Sequence, residues 1–189
     1  ITFQAFNDCD VEFDESGPFS KVEGCRARLA QLIDPKFVSS LKGVVFSQNK
    51  PFDDSAGYIW RVIGHLRSMS QGLPVAVLGG FINTRRECTE LYSACKDPEF
   101  VAFSAFDERE RWSLPDEVRG LDYVYVNKMR LLCREGSLAS CLIEADGEPA
   151  FYDMHHLSLA FSTLVGRRMA SVYGDRLTLA GFPPPMRSR

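Results

Sequence analysis

The sequence predicts one α/β domain, a three-layer α/β/α architecture around a doubly wound, mainly parallel sheet. Three observations predict it. Short apolar runs, LKGVVFS (Leu41–Ser47), PVAVLGG (Pro74–Gly80) and LDYVYV (Leu121–Val126), read as strands buried on both faces. Around them run segments whose apolar residues recur three and four apart, the spacing of one helix face. The chain has 189 residues, of which 45% are hydrophobic, enough to build a single core.

The elements follow in order. Ile1–Phe6 (ITFQAF) alternates as a strand does. Val22–Ile33 puts Val22, Cys25, Leu29, Leu32 and Ile33 on one helical face, and Leu41–Ser47 is the next strand. Ser55–Ser70 is helical through Ile59, Val62, Ile63, Leu66 and Met69, and it leads into the strand Pro74–Gly80. Glu87–Cys95 reads as a short helix, Pro98–Gly120 as short helices and loops, and Leu121–Val126 as a strand. Cys141–Tyr152 reads as a hairpin or loop around Asp146-Gly147, a dipeptide suited to a tight turn. Ser158–Tyr173 is the last helix, with Leu159, Phe161, Leu164, Val165 and Met169 apolar. Residues 1–181 form the expected domain and 182–189 a proline-rich tail.

Composition excludes several classes. The net charge is −3 and no long basic stripe occurs, so no nucleic-acid partner is expected. No run approaches the roughly 20 apolar residues that span a bilayer. No glycine-rich phosphate loop is present and no cofactor is expected.

Six cysteines occur without a Cys-x-x-Cys zinc pair. Sequence order groups them as Cys9 with Cys25, Cys88 with Cys95, and Cys133 with Cys141, each couple flanking a short polar or glycine-containing segment. Bridges there would pin loops and would require an oxidising compartment. The alternative is six free thiols acting as small hydrophobes.

The chemistry-bearing stretch is FYDMHHLS, Phe151–Ser158, which holds two of the three histidines. Asp153 and His156 are spaced Asp-x-x-His ahead of a helix. A turn folds the carboxylate onto one imidazole nitrogen and leaves the other to act as a base. Alternatively, Asp153 and Ser158 cap the helix and the histidines are solvated. A metal reading would use Asp153, His155 and His156, but it lacks a fourth ligand. Trp60 and Trp112 suit either the core or a sugar face, and His65 is expected at the surface or its boundary. Arg85-Arg86 and Arg167-Arg168 read as solvated helix-end charges.

The segment Leu132–Arg168, LCREGSLASCLIEADGEPAFYDMHHLSLAFSTLVGRR, resembles the C-terminal end of an SGNH-hydrolase (GDSL-like) domain of the kind fused to family-three membrane acyltransferases. The resemblance rests on Cys133, Cys141, Asp146-Gly147, Tyr152, Asp153, His156, Leu157 and Ser158 in that order. Cys9, Cys25 and the strand leading to Ser47-Gln48-Asn49-Lys50 fit more loosely. The resemblance implies a flavodoxin-like SGNH fold and serine-dependent acyl chemistry, with His156 as base, Asp153 orienting it and Asn49 donating to the oxyanion. A donor of that kind is worth roughly 3–4 kcal/mol in comparable enzymes. Ser47 and Lys50 depart from the family's glycine and aspartate in that block.

The family's Gly-Asp-Ser nucleophile string is absent from the sequence. Family order makes Ile1–Phe6 the second strand, so the serine is expected upstream of residue 1. The function expected is O-acyl, notably acetyl, transfer to a cell-envelope polysaccharide or lipopolysaccharide. Its partners would be a glycan acceptor and an acyl donor. The expected location is periplasmic or extracytoplasmic, with tethering through a membrane acyltransferase domain. The alternatives are an SGNH carbohydrate esterase and a non-catalytic accessory or binding domain derived from such a fold.

Overall fold

The computed structural model describes residues 9, 11–47, 57–79, 82–84, 103–105, 122–133, 141–153 and 156–184. Ile1–Phe6, Asn49, Glu87–Cys95, Trp112 and His155 lie outside the described residues.

A short antiparallel hairpin comes first, β1 (Glu12–Asp14) and β2 (Gly17–Phe19). Helix α1 (Glu23–Leu32) follows and buries Cys25, Leu29 and Leu32. Helix α2 (Pro35–Ser40) is capped by Asp34, whose carboxylate accepts the Lys36 N–H at 2.9 Å. Pro35 fills the first turn, where a missing N–H costs nothing.

The central sheet has three parallel strands in the order β3 (Val44–Ser47), β4 (Val75–Gly79) and β7 (Val124–Asn127). Helix α3 (Gly57–Met69) connects β3 to β4. Strands β5 (Ile82–Thr84) and β6 (Phe103–Ala105) form a separate antiparallel pair. The sequence predicts short helices and loops across Pro98–Gly120, where Phe103–Ala105 is instead a strand; Gly80, the last residue of the predicted strand PVAVLGG, lies outside the described residues. After β7 come the short helix α4 (Lys128–Leu132), the hairpin β8 (Glu144–Ala145) with β9 (Glu148–Pro149), and the long helix α5 (Leu159–Leu179). Asp146 and Gly147 both take positive φ, 51° and 79°, as an Asp-Gly hairpin turn demands.

Register assigns the two faces of the sheet. Val75, Val77, Tyr123 and Tyr125 meet Ile59, Trp60 and Ile63 of α3. Cys25, Leu29, Val38, Val62 and Leu66 extend that layer through α1 and α2. Ala76, Val124 and Val126 face the other way, onto Leu131 of α4, Phe151, and Phe161 and Tyr173 of α5. Helices therefore cover both faces of a parallel sheet, the three-layer arrangement expected from its strands' continuous apolar runs. Trp60 is core, tilted against Tyr123 at a centroid distance of 5.5 Å.

Helix α5 is longer than its pattern predicts. Gly174 is buried and the helix continues through it to Leu179. It ends at Gly181, φ 96°, with Gly181 N–H donating to Thr178 O and Phe182 N–H to Leu177 O. This is a Schellman termination. Arg168 is mid-helix, and instead of lying in solvent at a helix end it donates to Leu131 O at 2.7 Å, satisfying a last-turn carbonyl of α4. Leu159 is 83% exposed, outside the apolar face assigned to it.

On the α5 face, β3 is less covered than its neighbours. Val45 is 50% exposed and borders an apolar trough with Gly166, Ala170, Gly174, Leu177 and Phe182. Among the described residues β3 pairs only with β4.

Candidate active site

The site is built on the segment entering α5. Three backbone links zip its two arms together. Ser158 N–H donates to Ala150 O at 2.9 Å, Phe151 and Leu157 form an antiparallel bridge, and Tyr152 N–H donates to His156 O at 3.1 Å. The pleat then alternates sides. Phe151 is 2% exposed and packs near Phe161 in the core, while Tyr152 and His156 face outward.

Asp153 sits inside this loop and binds His156 twice. The His156 backbone N–H donates to Asp153 Oδ1 at 2.7 Å, and His156 Nδ1 lies 2.5 Å from Asp153 Oδ2. A carboxylate only accepts, so the pairing places the ring proton on Nδ1 and the basic lone pair on Nε2, on the ring edge away from Asp153. The side chains are 21% exposed for Asp153 and 56% for His156. Tyr152 stacks on the imidazole at 5.6 Å between centroids and 11° between planes.

The helix-cap alternative is divided by this geometry. Ser158 is the cap, its hydroxyl accepting the Phe161 N–H at 3.2 Å, while Asp153 turns to His156. Among the described residues, no group of three or more His, Cys, Asp or Glu side chains is placed to hold a metal ion.

Helix α5 runs antiparallel to the strands. Phe182, just past its C-terminus, packs so closely on Gly43 ahead of β3 that a Cβ there would lie 2.6 Å from the ring. A Cβ on Gly181 would likewise lie 3.0 Å from the ring of Pro74, ahead of β4. Tyr173, earlier in the helix, reaches Asn127 at the carboxyl end of β7. The N-terminus of α5, with Asp153 and His156 before it, therefore lies on the carboxyl-end side of the sheet. Open parallel sheets gather ligand chemistry on that side.

Two disulfides brace these layers. Cys9–Cys25 ties the chain ahead of β1 to α1, and Cys133–Cys141 joins the end of α4 to the segment leading into β8. Leu142 N–H to Leu132 O at 2.8 Å supports the second connection. Cys88 and Cys95 lie outside the described residues, as does Asn49.

Of the residues singled out in sequence, the structure brings Asp153, His156 and Ser158 together as described. His65 is partly buried, its Nε2 enclosed without a hydrogen bond beside Gly17 of β2 and away from this site. Tyr152 was read only as a marker of the segment. Its place opposite His156 follows from the arms' zipping, a pairing that linear spacing does not display.

No protein-family model and no curated protein matches the chain. Among solved structures, the fold is similar to the periplasmic domain of the lipopolysaccharide acetyltransferase of Salmonella ser. Paratyphi A, with a TM-score of 0.50 and 14% sequence identity. The similarity covers 74% of this chain and 61% of that one. At this identity the likeness is one of fold, a mixed α/β domain with a parallel sheet and helices.

Proposed function

We propose that the chain belongs to a serine-dependent O-acyltransferase that acylates a cell-envelope polysaccharide or lipopolysaccharide, with His156 as the base and Asp153 orienting it. The observation that carries this reading is the Asp153–His156 pair, held by two hydrogen bonds with the ring half-exposed on the carboxyl-end side of a parallel sheet. The fold it shares with a lipopolysaccharide acetyltransferase domain supports the substrate class. The two disulfides support an extracytoplasmic location.

In this reading the attacking serine comes from outside residues 1–189. Its Oγ attacks the acyl carbonyl carbon of the donor while Nε2 of His156 takes the hydroxyl proton. The donor's leaving group departs with that proton, and an acyl ester remains on the serine. A sugar hydroxyl then attacks the ester carbonyl, giving its proton to Nε2, and the proton returns to the serine as it leaves. Asp153 stabilises the imidazolium formed twice in the cycle. Acceptor and donor are a glycan and an acyl carrier, and the domain is tethered by a membrane acyltransferase region of the parent protein. Among the described residues, no helix is long and apolar enough to cross a membrane.

A second reading, a non-catalytic accessory domain, is favoured by the absence of a Gly-Asp-Ser string. Fluorophosphonate labelling of the full-length protein decides between them. The acyltransferase reading expects an adduct on one serine, mapped by mass spectrometry and lost in His156→Ala. A folded full-length protein that takes no adduct overturns it. Acetate released from acetylated glycan, with no transfer to added sugar, would make the enzyme an esterase using the same pair.

A further inference from the structure

We propose that Tyr152 is the positioning residue that fixes the plane of the His156 imidazole. This rests on the reading of His156 as a base.

Tyr152 is 48% exposed, while its neighbour Phe151 fills the core at 2%. Burial therefore does not account for an aromatic side chain here. The ring instead lies flat on His156, 5.6 Å away and 11° from parallel. The backbone dictates that contact. Tyr152 and His156 oppose each other across a two-armed segment joined by the Tyr152 N–H to His156 O bond and by the Phe151–Leu157 bridge. Directly opposed residues project to the same side and touch.

Asp153 and Tyr152 constrain different motions of one ring. The Asp153 carboxylate holds Nδ1 and so fixes one atom. A hydrogen bond at Nδ1 does not by itself fix the plane of the imidazole, because its outer torsion is broad. A ring stacked against one face removes that freedom. With the edge held by Asp153 and the face by Tyr152, the direction of Nε2 is set in a side chain that is otherwise 56% exposed. A base misplaced by about 1 Å can cost about a hundredfold in rate.

The stack needs an aromatic face and not the tyrosine hydroxyl, and this makes the test specific. Tyr152→Phe, Tyr152→Leu and Tyr152→Ala would be compared in two measurements. The first is long-range ¹H–¹⁵N NMR of His156 in the 189-residue chain. Tyr152→Phe is expected to keep the upfield ring-current displacement of the His156 ring protons, and both Leu and Ala to lose it. The second is steady-state acyl transfer by the full-length protein. Tyr152→Leu and Tyr152→Ala are expected to lower kcat about ten- to a hundredfold with KM little changed, and Tyr152→Phe to stay within about twofold of wild type.

Tyr152→Leu guards against a folding defect in Tyr152→Ala, and circular dichroism reports on both. If the ring-current displacement vanishes in folded Leu and Ala variants but kcat holds, Tyr152 does not position the base, and the proposal is overturned while the catalytic reading stands. If Tyr152→Phe falls as far as Tyr152→Ala, the hydroxyl is what matters and stacking is overturned. If His156→Ala itself keeps full activity, the catalytic reading fails and this proposal falls with it.

Discussion

The hydroxyl of Tyr173 accepts the backbone N–H of Asn127 at 3.2 Å inside the core, joining the middle of α5 to the carboxyl end of β7. This bond sets how far α5 slides along the sheet, and so where the segment before it stands. Tyr173→Phe keeps the ring and removes the acceptor. It is expected to lower unfolding stability by about 1–2 kcal/mol, read as a lower urea midpoint at unchanged slope.

Asp153→Asn tests the pair from its other side. An amide in place of the carboxylate removes the charge that stabilises the imidazolium and allows the ring to carry its proton on the wrong nitrogen. In the full-length protein, turnover is expected to fall by about 10³–10⁴-fold with circular dichroism unchanged. A loss smaller than about tenfold would mean that Asp153 does not serve His156 in catalysis.

The Cys9–Cys25 bridge closes a separation of 16 residues and anchors the buried Cys25 of α1. Replacing both cysteines with alanine is expected to cost about 3 kcal/mol, most of it from the greater freedom of the unfolded chain. Urea unfolding of the oxidised wild type and the double variant, both without reductant, measures that difference, because reductant would also open Cys133–Cys141. A double variant as stable as the oxidised protein would contradict this.

The β1–β2 hairpin carries an acid-sensitive contact. Asp14 Oδ1 accepts from the Ser16 hydroxyl at 2.6 Å and from the Ser16 N–H at 2.7 Å. Those hydrogen bonds, the hydroxyl's first, hold the Asp14 carboxyl below its ordinary value of 3.8. The folded form thus binds its proton less readily than the unfolded form. Its contribution is present above the ordinary value and is lost as pH falls through the lowered one. Carboxyl ¹³C NMR is expected to place the Asp14 midpoint below 3.8, and Ser16→Ala to raise it. A midpoint that Ser16→Ala leaves in place would refute the assignment.

Much of the fold could be read from periodicity because burial imposes it. Cys25, Leu29 and Leu32 of α1, and Ile59, Val62, Ile63 and Leu66 of α3, are buried as their spacing requires, whereas Val22 and Ile33, assigned to the α1 face, lie at the helix ends and are exposed. Asp146-Gly147 turns where its chemistry says. Other elements were hidden because their determinants are not periodic. Helix α2 is only six residues long and depends on the Asp34 cap followed by Pro35. Gly174 follows the predicted helix end, yet the helix runs through it to Leu179, and the glycine is buried where it borders the trough. The Asp153–His156 pair was legible because both partners lie on one short loop. The Tyr152 stack depends on which residues the loop's arms place opposite each other, and no linear spacing encodes that.

The half-exposed Val45 has a consequence for handling the molecule. Val45 and the apolar trough beside it form a patch onto which other apolar surface can pack. Val45→Lys is therefore expected to lower any concentration-dependent light scattering while leaving the circular-dichroism spectrum unchanged.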